Sequence, residues 1–166
     1  MRLIGLALAL WMSGGAAQTP VRVLIFTSID CPISNRYAPE IQRLQARFAD
    51  DDVRFSLVFA NPRDVPDAIR DHVRAFGYRI DVVLDPRQDL VRKTKATVTP
   101  EAAVFDRSGR LVYRGRIDDR YADLGIDRQT PRRRDLEDAV VATLAGQPVA
   151  NPFTRAVGCY LADFAR

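Results

Sequence analysis

The stretch VLIFTSIDCPISNRYAPE, residues 23–40, changes pattern twice. Val23, Leu24, Ile25 and Phe26 form a short continuous apolar run, the pattern of a strand buried on both faces. Thr27, Ser28 and Asp30 interrupt the run, and Cys31 and Pro32 follow. From Ser34 or Asn35 onward the pattern is helical: Tyr37, Ile41, Leu44 and Phe48 share one spacing, with Glu40 acidic early in the helix. Cys31 is therefore expected between the end of a buried strand and the start of a helix. Partial positive charge and unpaired N–H groups at a helix start favour thiolate over thiol, and the thiolate is the reactive form. Pro32 suits a first helical turn, where its missing N–H costs nothing. The plainer alternative is that Cys31 is a small buried hydrophobe.

This strand, cysteine turn and helix resemble the active-site segment of thioredoxin-like proteins. The resemblance is strongest to the redoxin branch, which includes the thiol-specific antioxidant (peroxiredoxin) and membrane-tethered thiol:disulfide oxidoreductase groups. Two departures are visible. Thioredoxins place a second cysteine three residues on, and here that position is Ser34. Peroxiredoxins place Thr three residues before the cysteine and Pro seven before, and here those positions are Ser28 and Leu24. The resemblance implies an α/β thioredoxin-like fold, a central mixed β-sheet flanked by helices.

Beyond this stretch, a chain of 166 residues with 47% hydrophobic and 28% charged residues is one globular domain's worth, large enough for a real core. The net charge of +4 is mild and spread out, so no nucleic-acid partner is expected. The N-terminus reads as an export signal: a basic start at Arg2, an apolar run over residues 3–12, then small residues at 13–17 suited to cleavage before Gln18. The run is short for a bilayer span, and membrane contact is expected only if the segment stays uncleaved. Export, to a periplasm or to the outside, would put the chain where a disulfide can persist. The expected division is residues 1–17 as signal peptide, 18–148 as the redoxin domain and 149–166 as a C-terminal tail.

Strands are expected over residues 21–26, 53–59, 80–84, 102–105 and 111–116, from apolar runs or alternation. Asp64 is placed to cap a helix reaching Phe76, with Val65, Ile69, His72 and Val73 on one face. A short helix is expected at residues 88–93, a polar loop at 118–131, and a last helix through Leu136, Val140 and Leu144, stopped by Gly146 and Pro148. Arg132, Arg133 and Arg134 read as a solvated helix start, and Arg114 and Arg116 as sheet-edge charges. Thr99-Pro100, just before the 102–116 hairpin, resembles the pair that in thioredoxin-like folds has a cis peptide and packs beside the active-site cysteine. An ordinary trans turn proline is the alternative. The tail carries Phe153, Val157, Tyr160, Leu161 and Phe164, too apolar to hang in solvent, together with Cys159.

Two functions from different classes follow. In the first, an exported thiol redox enzyme, Cys31 is the nucleophile and Cys159 the resolving partner, acting on protein disulfides or small peroxides with an electron donor the sequence does not name. Thr99 and Pro100 complete the catalytic set. Thr27, Ser28, Asp30, Pro32 and Arg36 form the thiolate environment: Thr27 and Ser28 as hydrogen-bond donors, Asp30 opposing ionisation by like charge, and Arg36 supporting it or facing solvent. Glu101 is either a proton relay or exposed. No cofactor is expected. A permanent Cys31–Cys159 bridge is the inert version, contributing about 4–5 kcal/mol by loop closure. The second function is a copper-chaperone-like module. Exported thioredoxin-like copper chaperones use two cysteines four apart plus a distant histidine; here Asn35 stands four after Cys31. Cys31, Cys159 and His72 would have to supply a soft Cu(I) site instead, although His72 reads as a boundary core residue on a helix covering the other sheet face, so no metal site is expected.

If the export reading holds, N-terminal sequencing of exported protein will begin at Gln18. An intact Met1 in a membrane fraction would mark an anchored chain instead.

Overall fold

The computed structural model describes residues 19–162; the expected signal segment lies outside them. In chain order the elements are β1 (Val21–Thr27), α1 (Pro32–Arg36), α2 (Ala38–Arg47), β2 (Val53–Phe59), α3 (Pro66–Ala75), β3 (Asp81–Leu84), α4 (Asp89–Thr94), β4 (Val98–Thr99), β5 (Glu101–Phe105), β6 (Leu111–Gly115), β7 (Tyr121–Asp123), β8 (Ile126–Asp127), α5 (Asp135–Leu144) and β9 (Cys159–Tyr160). Five strands make one mixed sheet in the order β3-β2-β1-β5-β6. β1 runs parallel to β2, and β5 runs antiparallel to β1.

β1 sits at the centre and is buried on both faces, as its continuous apolar run requires. Val23 and Ile25 point into one core with Tyr37, Ile41 and Leu44 of the first helices, Ile69 of α3 and Leu136 and Val140 of α5. Leu24 and Phe26 point into the other, with Val58, Ala103 and Phe105, against which Leu90 and Val91 of α4 pack. Each such side chain contributes about 1.5–3 kcal/mol on full burial, so the strand that leads to Cys31 is also the best anchored. α2, α3 and α5 thus share one face. This corrects the placing of the His72 helix on the face away from the first helices.

The single helix expected after Cys31 is broken at Tyr37. Pro39 has no N–H to give to the turn before it, so α1 ends there and α2 begins anew. Asp64 does not cap α3: the N-cap is Val65, held extended before Pro66, and Asp64 takes a hydrogen bond from the Asn61 side chain at 3.0 Å instead. The polar loop at 118–131 contains a small hairpin, β7–β8. Arg134 and Arg133 are not merely solvated: they pair with Glu40 and Asp135. Arg116 pairs with buried Asp135 at 2.7 Å, and Arg114 lies 3.6 Å from buried Glu101 while stacking on Phe153. These are ties within the fold, so the reading of Arg114 and Arg116 as edge charges is corrected.

The tail packs back on the domain at several points. At the β6 edge, the Arg114 N–H donates to Pro152 O (3.0 Å) and the Thr154 N–H to Arg114 O (3.1 Å). Gly115 makes this approach possible: at φ 154° a Cβ there would collide with Thr154. Further on, β9 pairs antiparallel with β4, Val98 opposite Tyr160 and Thr99 opposite Cys159. The Leu161 N–H donates to Thr97 O at 3.0 Å, and the Gln88 side-chain amide donates to Ala162 O at 2.7 Å. Gly158 is the close point, because a Cβ there would strike the Thr99 carbonyl. Among the described residues no helix is long and apolar enough to cross a membrane.

The steric argument at Gly158 gives a direct expectation. Gly158→Val detaches the β9 end of the tail while the five-stranded sheet keeps its packing. Hydrogen exchange will show the Leu161 amide losing its protection while amides of β1 and β5 keep theirs.

Candidate active site

Pairing of β1 with β5 sets Phe26 opposite Glu101. The chain just before Glu101 therefore meets the chain just after Phe26, and Thr99 meets Cys31 across 68 residues of sequence. The Thr99–Pro100 peptide is cis, and both residues are buried. Cys31 is the N-cap of α1 and is 1% exposed. Its thiol donates to Thr99 O at 3.0 Å, and its sulfur accepts from the Ser34 N–H at 3.4 Å.

Cys159 arrives from the other side of the same dipeptide. Its backbone is held by Thr99 in the β4–β9 ladder, and the Thr99 hydroxyl donates to Cys159 O at 3.5 Å. The two thiols are free and lie close enough to perturb each other's ionisation. Burial alone would raise the Cys31 pKa, but hydrogen bonds from Cys159, from Ser34 and from Thr99 outweigh it and bring Cys31 below its ordinary value. Cys159 moves the other way: burial, its hydrogen bond to Cys31 and the charge of a Cys31 thiolate push it up to about 12. Of the two thiols, Cys31 is thus the one that gives up its proton first. The Ser34 hydroxyl is buried and its nearness to Cys31 helps to lower the Cys31 pKa, from the position where the second cysteine of a Cys-x-x-Cys turn would be.

The remaining expected residues divide. Pro32 opens α1 as expected. Ser28 supports the turn through its backbone, accepting from the Cys31 N–H at 3.3 Å. Thr27 is buried and its hydroxyl has no hydrogen-bond partner among the described residues. Asp30 is exposed, and its charge is felt at Asp64 and His72. Arg36 is exposed and drawn to Tyr121 and Asp127. Glu101 is not exposed: at 2% exposure its carboxylate accepts from the Thr97 N–H (2.7 Å) and the Val98 N–H (3.4 Å). It shapes the segment that carries Thr99. His72 is buried among Phe59, Phe76 and Tyr78, and that burial lowers its pKa against the pull of Asp30. Among the described residues no group of three or more His, Cys, Asp or Glu side chains gathers closely enough to hold a metal ion, and so His72 does not complete a site with the cysteines.

Sequence reading missed three contributors. Gly158 was readable only as a small residue beside Cys159. Glu101 was ambiguous because a carboxylate's burial is not written in its neighbours. Tyr37 donates to buried Asp118 at 2.6 Å, and burial raises the Asp118 pKa; this pair braces the start of α2 from a segment that read as polar loop.

The Redoxin family profile matches residues 12–125, more than half of the chain. The chain belongs to the Redoxin family. No curated protein matches it. Among solved structures, this redoxin is similar to a hypothetical protein, SMc02350, from Sinorhizobium meliloti 1021, at 26% identity and TM-score 0.73, covering 86% of this chain and 79% of that one. It is likewise similar to an uncharacterized conserved protein from Geobacillus kaustophilus, at 26% identity and TM-score 0.74, covering 86% and 76%. A secreted Mycobacterium tuberculosis disulfide oxidoreductase shares the fold at 16% identity and TM-score 0.51, covering 78% and 83%. The thioredoxin-like assignment of this redoxin therefore stands on its sheet order, its cis proline and its relatives together.

The thiol contact predicts opposite effects of removing each partner. Cys159→Ala takes a donor from Cys31 and raises its pKa; Cys31→Ala removes the charge facing Cys159 and lowers its pKa from about 12 toward the ordinary 9.0. Thiolate absorbance followed against pH reads both. In the reduced wild type, the unfolded chain binds the extra proton between the lowered Cys31 value and 9.0, so the pair adds stability as pH rises through that window. From about 9 to about 12 the folded chain holds the extra proton on Cys159, and stability falls.

Proposed function

We propose that the protein is an exported thiol–disulfide oxidoreductase that uses Cys31 as nucleophile and Cys159 as resolving cysteine. The observation that carries this reading is the contact between the two thiols across Thr99. In the first step the Cys31 thiolate attacks one sulfur of a client disulfide. A mixed disulfide forms and the client's other sulfur leaves as thiolate. Cys31 then carries no charge, so one of the effects that keep Cys159 protonated disappears. Cys159 loses its proton and attacks the Cys31 sulfur; the second client sulfur leaves, and Cys31 and Cys159 are joined. Pro100 and Thr99 act by placing the two sulfurs, and Ser34 steadies the thiolate through its N–H.

Disulfide exchange is taken over peroxide reduction because the Cys31 sulfur faces a second sulfur and because a disulfide oxidoreductase shares the fold. Site of action and partners follow from the same reading: protein thiols and disulfides outside the cytosol, supported by the N-terminal pattern and by the secreted disulfide oxidoreductase that shares the fold. The domain is taken as residues 18–148, with 149–166 as a tail that brings the resolving thiol.

Turnover of a model protein disulfide, driven by a chemical dithiol, tests the assignment. Cys31→Ser reduces the rate to the uncatalysed level. Cys159→Ser still forms the first mixed disulfide but does not resolve it, so a Cys31-linked client adduct accumulates on non-reducing gels. Full activity in Cys31→Ser would refute the scheme.

A further inference from the structure

The two sulfurs differ in access. Cys31 is 1% exposed, walled by the Thr99 carbonyl at 3.0 Å, by the Ser34 N–H at 3.4 Å and by Cys159 itself. Cys159 is half-buried on the outer strand of the β4–β9 ladder, and its neighbour Tyr160 is 84% exposed. A thiolate attacking a disulfide approaches along the sulfur–sulfur axis, from the side away from the sulfur that leaves. Cys159 keeps part of its surface open to such an approach. Cys31 keeps almost none. For a client disulfide to reach Cys31 in the reduced protein, the tail that carries Cys159 has to move aside. Once Cys31 and Cys159 are joined, the bond fastens the tail over Cys31, and lifting is no longer open to it.

We propose that the oxidised protein is reduced through Cys159, so that the reductant and the client disulfide engage different sulfur atoms. This rests on Cys31 and Cys159 being the redox pair proposed above. The reductant is a dithiol. Its first thiolate bonds to the Cys159 sulfur, the Cys31–Cys159 bond breaks, and Cys31 leaves as thiolate, received by the Ser34 N–H. The reductant's second thiolate then attacks its own sulfur in the mixed disulfide. Cys159 leaves and takes up a proton, and the reductant departs as a disulfide, two electrons poorer. The lowered pKa of Cys31 favours the same direction, because the more acidic thiol is the better leaving group. The arrangement makes the tail's outer face, beside Tyr160, the surface a reducing partner must meet.

Glutathione, a monothiol, serves as the probe because it can carry out the first step alone. Fully oxidised wild-type protein is mixed with excess glutathione, quenched in acid at short times, alkylated and digested. Mass spectrometry then assigns the glutathione adduct to the Cys31 peptide or the Cys159 peptide. The expected result is an adduct on Cys159 exceeding that on Cys31 by about tenfold or more, with Cys31 recovered alkylated. Equal adducts, an excess on Cys31, or none on Cys159 overturns the proposal. The two readings fail separately: an oxidised protein with no Cys31–Cys159 cross-linked peptide refutes the redox pair itself, whereas an intact cross-link opened at Cys31 refutes only the route.

Discussion

Thr99 is used on both sides of its backbone. Its carbonyl takes the Cys31 thiol, and its ladder with β9 holds the strand that carries Cys159. Neither sulfur would have a fixed place without it. Cys31 alone would cap a short helix of five residues, and the tail alone has two residues of strand with which to stay in register. A two-residue ladder is weak by itself, since isolated strand pairs are marginal in water. It persists here because Gly158 lets the backbones close together and because Leu161 and Ala162 add hydrogen bonds on its far side.

The dipeptide is in turn held by a buried charge. Glu101 gives its carboxylate to the Thr97 and Val98 amides at the bend before the cis proline. A carboxylate at 2% exposure is costly unless its oxygens are satisfied, and Arg114, 3.6 Å away, shares that task. Arg114 also joins the sheet edge to the tail through its backbone and its stacking on Phe153. The route from the sheet to the sulfur pair thus runs through two polar side chains that are structural in effect.

The sheet was legible in the sequence because each strand keeps a pattern no other element would suit. Val53, Phe55, Leu57 and Phe59 stand at alternate positions, and residues 23–26 are apolar on both faces, as the two cores around β1 demand. Boundaries moved by a residue where a polar side chain was buried at a strand end, as with Thr27 and Glu101. Helix ends were less legible. Pro39 breaks the helix after Cys31, but its pattern of apolar residues continues unbroken across the break, so periodicity hid it. Of the site, Cys31 and the Thr99-Pro100 pair could be picked out locally. The meeting of Cys159 with Cys31 could not, because it depends on where a tail lands, and apolar content gives a tail a reason to dock without giving it an address. The roles of Glu101 and Gly158 depend on what lies opposite them in space, which no local pattern records.

The tail is fastened in two separate places. Pro152 and Thr154 hold it to Arg114 at the edge of the main sheet, and Cys159 to Ala162 hold it to β4 and to Gln88. Arg155, Ala156 and Val157 lie between and make no backbone hydrogen bond to the sheet. The first fastening covers the outer edge of β6, a row of backbone groups that would otherwise be open to pairing with another chain. The second covers a sulfur. Because the two do not share a residue, release of the second would leave the first in place. Opening at the thiols would then leave the sheet edge closed.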